Sequence, residues 1–261
     1  METAQLNIPT KNKRRFLPDN LVIDSWSKLQ TYFDELKNRT IANVGELENW
    51  LSDRSELEAV IEEDMAWRYI KMNIDTTDEQ LAESFNFFIT EIEPKVAPYA
   101  NDFNLKLVNS SFINELDQDK YYIYIRGIKK QIEIFREENI PLNTKLQADA
   151  QKYGAISAKM TVNYDGKELT LQQAGIYLKN IDRAIRKEVF ELTNSRRLEN
   201  EDELNSLYTE LIQLRNKVAQ NAGFVNYRDY MFAEMGRFDY QAQDCFDFHN
   251  AIAKEVVPVT N

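Results

Sequence analysis

With 261 residues, 43 of them acidic and 32 basic, the chain carries a formal charge of −11. That balance excludes the basic surface that phosphate neutralisation demands, so nucleic acid is not an expected partner. One cysteine excludes an internal disulfide, and no stretch approaches the ~18 apolar residues of a membrane span, so a cytoplasmic protein with no membrane partner is expected.

Seven glycines and six prolines beside 29% charged residues favour long amphipathic helices, and the 14 Phe, 13 Tyr and 3 Trp supply core material. Residues 1–23 read as an extended, partly ordered lead-in broken by Pro9 and Pro18. The basic cluster of Lys11, Lys13, Arg14 and Arg15 precedes no apolar run, so it is no secretory signal. Asp24 is placed to cap a helix carrying Trp26, Leu29, Phe33 and Leu36. Leu47, Trp50 and Leu51 mark the next helical face, continued by Leu57, Ile61, Met65, Tyr69 and Met72. Thr77 to Gln80 has the spacing of a capping box ahead of Leu81, Phe85, Phe88 and Ile92. Pro94 and Pro98 are expected to end or kink that element, before a helical piece bearing Phe103 and Leu107. Small and polar residues from Asn109 to Asp119 mark an expected boundary between subdomains 1–108 and 119–261. Beyond it, Tyr121, Ile125, Ile128, Ile132 and Phe135 follow helical spacing, with Tyr122, Tyr124 and Ile134 widening the face towards a second contact. Pro141 breaks the pattern before a helix from about Leu142 to Ala158.

The region from Thr161 to Tyr240 organises the rest. Asp165 and Gly166 between Val162, Tyr164, Leu169 and Leu171 predict a tight β-hairpin, because glycine reaches positive φ without steric cost. Thr170 and Gln173 form a capping box for a helix with the stripe Leu171, Ala174, Leu178, Ile181, Ile185, Val189 and Leu192. A second stripe runs through Leu204, Leu207, Leu211, Leu214 and Val218, and Gly223 suits its C-cap. Two long helices packed as a hairpin are therefore expected. The predicted class is all-α, with long antiparallel helices and one short β-hairpin near 161–171. The last stripe, Cys245, Phe248, Ile252, Val256 and Val259, either docks to complete the bundle or packs on something further along.

Little chemistry is visible in single residues. His249 is the sole histidine, four residues after Cys245, so the pair lacks the ligands of a zinc site and is read as core or cleft-wall packing. The acidic runs Glu62, Glu63, Asp64 and Glu199, Glu201, Asp202, Glu203 are read as helix-dipole complements or solvent faces. Arg183, Arg186 and Lys187 behind Asp182 are read as intrahelical ion pairs. The aromatic runs Phe85 to Phe88 and Tyr121 to Tyr124 are read as core. The acidic excess serves solubility and also suits cationic peptides. No phosphate-binding glycine loop or nucleophile elbow is present, so no catalytic, cofactor-binding or metal residue is assigned.

Ordered short runs are more telling. Leu169 to Leu171, Asp182 to Phe190, Ala219 to Tyr230, Phe248 to Ala253 and Val256 to Pro258 resemble, in that order, the oligoendopeptidase F and thimet oligopeptidase family. Arg14 to Pro18 and Trp26 are similar to the family's opening. The resemblance implies a helical zinc metallopeptidase that hydrolyses short unfolded peptides in a deep channel. Its H-E-x-x-H zinc ligands and general base have no counterpart among these residues, so zinc is expected of the complete enzyme and not of this chain. The resemblance thus implies the N-terminal lobe, with 119–261 as channel wall, short peptides as substrate, and a separate C-terminal catalytic domain as partner. A self-contained helical peptide-binding or scaffold protein without catalytic activity is the alternative.

Overall fold

The structure is a computed structural model that describes residues 13–76 and 78–260. Its first half stacks helices around one apolar cluster. Helix α1 (Trp26–Asn38) presents Leu29, Phe33 and Leu36, and α2 (Val44–Ile74) presents Leu47, Trp50 and Leu57. Trp50 stacks edge-on against Phe103, and its indole N–H donates to the Leu36 carbonyl at 2.9 Å, so the ring is buried without an orphaned donor. The cluster also takes in Leu116, from within the stretch Asn109 to Asp119, and Ile125 and Ile128 from beyond it.

The lead-in is pinned where it is described. The Glu56 carboxylate accepts the backbone N–H groups of Arg15, Phe16 and Leu17, at 2.7, 2.9 and 2.7 Å. This anchors the burial of Leu17 in the core. Pro9 and Thr77 lie outside the described residues. Two caps fall one residue from the expected positions: Ser25 and Asp78 hold the N-cap positions of their helices, while Asp24 accepts from Lys28.

The prolines do not end their helix. After α3 (Glu79–Phe87) comes a π-turn, Phe88–Ile92, and then α4 (Glu93–Val108), which runs through both Pro94 and Pro98. Pro94 would drive its ring against the carbonyl four residues back, and it donates no hydrogen bond. The wider π-turn, in which Glu93 N–H bonds the Phe88 carbonyl, absorbs that misfit.

A 3-10 turn, Ile113–Glu115, leads to α5 (Gln118–Ile134) and α6 (Asn139–Ala158), which holds Pro141 in its first turn. On α5, Ile125, Ile128 and Ile134 are buried and Tyr121 packs against the core, but Tyr122, Ile123 and Tyr124 are exposed, so the core reading of that aromatic run holds only at Tyr121. The Phe85 to Phe88 run is core at Phe85 and Phe88, as expected.

Strands β1 (Thr161–Tyr164) and β2 (Lys167–Thr170) pair antiparallel, with Asp165 and Gly166 both at positive φ as a primed turn requires. The Thr170–Gln173 capping box is formed. The helix it opens is short: α7 (Leu171–Ala174), a 3-10 stretch (Gly175–Lys179), an extended Asn180, then α8 (Arg183–Leu198). The expected continuous helix is interrupted because Asp182 caps α8 through Ala184 N–H while Arg186 donates to the carbonyls of Asn180 and Ile181. Those local bonds satisfy the chain outside a helix, and Ile181 of the expected stripe is 99% exposed. They also replace the intrahelical ion pairs expected of Asp182; Lys187 instead meets Glu191.

Helix α9 (Glu201–Asn221) packs along α6, and α8 packs on β1 and the 3-10 stretch, so the main contacts of α8 and α9 are not those of a two-helix hairpin. Helices α10 (Tyr227–Glu234) and α11 (Ala242–Ala251) follow. A second π-turn, Ile252–Val256, then precedes α12 (Val257–Thr260). Pro258 again stands second after the π-turn, as Pro94 does.

Candidate functional site

A cleft of about 310 Å³ opens between α4, α5, α6 and α10. Glu93, Ala97 and Asn101 recur every four residues, so they share one face of α4, and the small alanine leaves the space. Gln131 and Ile134 close one side from α5, Asn139 and Ile140 another from α6, and Tyr230 and Glu234 come from α10.

Its polar groups are unevenly paired. Glu93 accepts from the Gln147 amide through Oε1 at 2.7 Å, while its Oε2 is buried without a partner. Asn101 Oδ1 in the lining is likewise buried and unpaired, as is Oε1 of Gln147, which lies outside the lining. Burial pushes the Glu93 carboxyl above the usual carboxylate range, and the Gln147 hydrogen bond only partly opposes it. Tyr230 donates to Glu234 at 3.2 Å, and burial, reinforced by Glu234, raises its phenol. The one cation in the wall, Arg136, is committed to the backbone carbonyls of Glu133, Phe135 and Asn221. Asn104 joins the cleft to the core, accepting from buried Arg54 and donating to Gln131.

A second feature is the C-terminal helix. Every residue from 246 to 260 is exposed, including Phe246, Phe248, Ile252, Val256, Val257 and Val259. Within the described residues this helix does not complete the bundle. Cys245 is half-buried and His249 exposed, so of the two readings, core or cleft-wall packing, His249 is not core.

The acidic runs are structural. Asp64 receives Arg68, whose other nitrogens bond Ser84 and the Ile23 carbonyl. Glu201, Asp202 and Glu203 occupy the first turn of α9, where the helix dipole favours them. Glu93 and Asn101 gave no signal in the sequence, since their burial depends on helices far away in the chain.

Two family models match: the peptidase M3 N-terminal domain over residues 20–135, and peptidase family M3 over residues 176–261. The chain belongs to peptidase family M3. Among solved structures, one described provisionally as oligoendopeptidase F superposes with a TM-score of 0.84 at 27% identity, covering 90% of this chain and 42% of that one. PZ peptidase A with an inhibitor gives 0.82 at 25%, covering 89% and 42%. A Bacillus anthracis str. Ames protein, also described provisionally as oligoendopeptidase F, gives 0.80 at 25%, covering 90% and 43%. The chain therefore spans less than half the length of these relatives. No curated protein matches significantly.

The runs that resemble the M3 family have structural duties here. Gly223, at φ +89°, ends α9, and Phe224 N–H returns to the Ala219 carbonyl at 2.9 Å. Asn221 donates to Asn139 and Asn226 caps α10, so the segment locks α9, α6 and α10 together beside the cleft. Among the described residues no three His, Cys, Asp or Glu side chains gather into a cation site, so these residues do not fit zinc.

Proposed function

We propose that this chain forms the N-terminal lobe of a zinc-dependent oligoendopeptidase that cleaves short unfolded peptides in the cytoplasm. Residues 1–108 form one helical subdomain, and 119–261 form the wall of a peptide channel. The zinc ligands and the general base come from a C-terminal catalytic domain outside these residues. The observation that carries this reading is that the chain covers only 42–43% of its M3-like structural neighbours, with the apolar side chains from Phe246 to Val259 left exposed. Full burial of each such Phe, Ile or Val contributes about 1.5–3 kcal/mol, so the helix is built to be covered. A wall of this kind admits flexible chains and excludes folded ones by shape and by the entropy of threading.

The test compares zinc content and cleavage of a fluorogenic peptide by this chain and by a longer chain from the same reading frame. Cleavage by the longer chain alone is the expected result. Equal cleavage by both, or none by the longer zinc-loaded chain, overturns the proposal.

A further inference from the structure

We propose that Glu93 of α4 and Gln147 of α6 form a pH-sensitive clasp between the two helices, closed when Glu93 carries a proton and loosened when it does not. The Gln147 amide already donates to Glu93 Oε1 at 2.7 Å, which sets a carboxyl against a carboxamide. Glu93 Oε2 and Gln147 Oε1 are what remains, and both are buried acceptors without a donor. One proton answers both. Taken up from solvent on Oε2, it makes that oxygen a donor, and Gln147 Oε1 is the acceptor left over on the group already bonded to it. The two planar groups then close a ring of two hydrogen bonds, amide N–H to Oε1 on one side and Oε2–H to the amide carbonyl on the other. The terminal torsions of Glu and Gln are soft, so little opposes the turn that closes the ring. When the proton returns to solvent the pair keeps one bond, and two acceptors stay buried without a donor, one of them in a charged group.

The surroundings favour the closed form. Burial pushes the Glu93 carboxyl above the usual carboxylate range, opposed by the same Gln147 N–H. The titratable groups that share its cleft are Arg136, Tyr230 and Glu234. Arg136 keeps its charge in the wall and works against the proton, but its hydrogen bonds go to the carbonyls of Glu133, Phe135 and Asn221. Glu234 accepts from Tyr230. On α6, Asp149 takes Lys145 and Lys152; on α5, Glu133 takes Lys130. Glu91 of the π-turn takes Lys95, and Asp102 of α4 takes Lys37 of α1. Among the described residues Glu93 Oε2 therefore meets no cation and no other donor. Because the folded carboxyl holds its proton above its unfolded value, the clasp contributes fully below the unfolded pKa of about 4.3. That contribution is lost as pH rises through the folded value. The inference stands apart from the peptidase reading.

The test is infrared titration of the 261-residue chain from pH 4 to pH 9, with urea midpoints over the same range, for the unaltered chain, Glu93→Gln and Gln147→Met. The carbonyl band of a protonated carboxyl is expected to persist above the ordinary glutamate range and to be absent from Glu93→Gln. It is expected at the lower frequency of an acid that donates a hydrogen bond. In Gln147→Met the band is expected to move to higher frequency, because the O–H has lost its acceptor. Glu93→Gln puts a permanent N–H where the proton sits, so its urea midpoint is expected to gain on that of the unaltered chain as pH rises. No Glu93 band above that range, or a midpoint difference that does not change with pH, overturns the proposal. So does a band that Gln147→Met leaves in place, which assigns Gln147 Oε1 instead to Gln151 Nε2, a buried donor without a partner one turn along α6. If Gln147→Met does not fold, the frequency of the band in the unaltered chain decides, and that of a free acid overturns the proposal.

Discussion

Glu56 and Asp149 illustrate what single carboxylates do in an acidic protein. Glu56 gathers three backbone donors from the lead-in. Glu56→Ala leaves them without a receptor and is expected to cost about 1–3 kcal/mol in urea denaturation, with Glu56→Gln recovering part of it. For Asp149, burial works to raise the carboxyl, but hydrogen bonds and charge from Lys145 and Lys152 outweigh it and hold the group below the usual range. Its folded pKa is thus below its unfolded one, so the stabilisation is complete above the unfolded pKa of about 3.9 and is lost as pH falls through the folded value. Asp149→Asn is expected to lower stability by about 1–2 kcal/mol at pH 7, a gap that closes in strong acid. Both lysines are more than half exposed, so salt should narrow that gap. The Glu56 contacts were not legible in sequence, because they join α2 to a segment about forty residues earlier. Lys145 and Lys152 stand at helical spacing from Asp149 on α6 itself, but the burial of Asp149 comes only with the packed fold.

Among the elements, the two π-turns show how this chain keeps proline inside long helices. Each is five residues long and precedes its proline by one residue, at Pro94 and at Pro258. Proline read locally predicts a stop; the extra residue in the upstream turn removes the clash that would enforce it. That difference matters for the cleft, because α4 must continue past Pro94 for Glu93 and Asn101 to share one face. The end of α9 behaves as sequence reasoning expects. Gly223 sits at φ +89° with nothing near the position a Cβ would take, so Gly223→Ala meets backbone strain and no clash. It is expected to cost about 1–2 kcal/mol in thermal denaturation. The helix predicted from Thr170 to Leu192 failed for a related reason. Its spacing was helical, but Asp182 offered a better start for α8 than continuation could, and periodicity does not weigh one bond against the other.

At the scale of the molecule, apolar character and burial part company. Phe103 is 1% exposed, stacked on Phe33 and edge-on to Trp50, whereas Phe248 is 63% exposed. Phe103→Ala is expected to cost about 3–5 kcal/mol, and Phe248→Ser to change the stability of this chain by less than about 0.5 kcal/mol, both read from urea midpoints. A large loss in Phe248→Ser would mean the C-terminal helix has a partner within these residues after all. Tyr122, Ile123 and Tyr124 on α5 are exposed in the same way, although their spacing had pointed to core.

The sequence alone determined the all-α class, the Asp165–Gly166 turn, the Thr170 capping box, the Gly223 cap and the resemblance to the oligoendopeptidase F and thimet oligopeptidase family. Backbone preferences and apolar spacing are properties of short windows, and a window carries them wherever it is placed. Only the tertiary structure decided which apolar faces are covered, and that Glu93 of α4 and Gln147 of α6 meet with a buried acceptor left over on each. An unpaired buried acceptor arises from atoms that remote helices bring, or fail to bring, to one place.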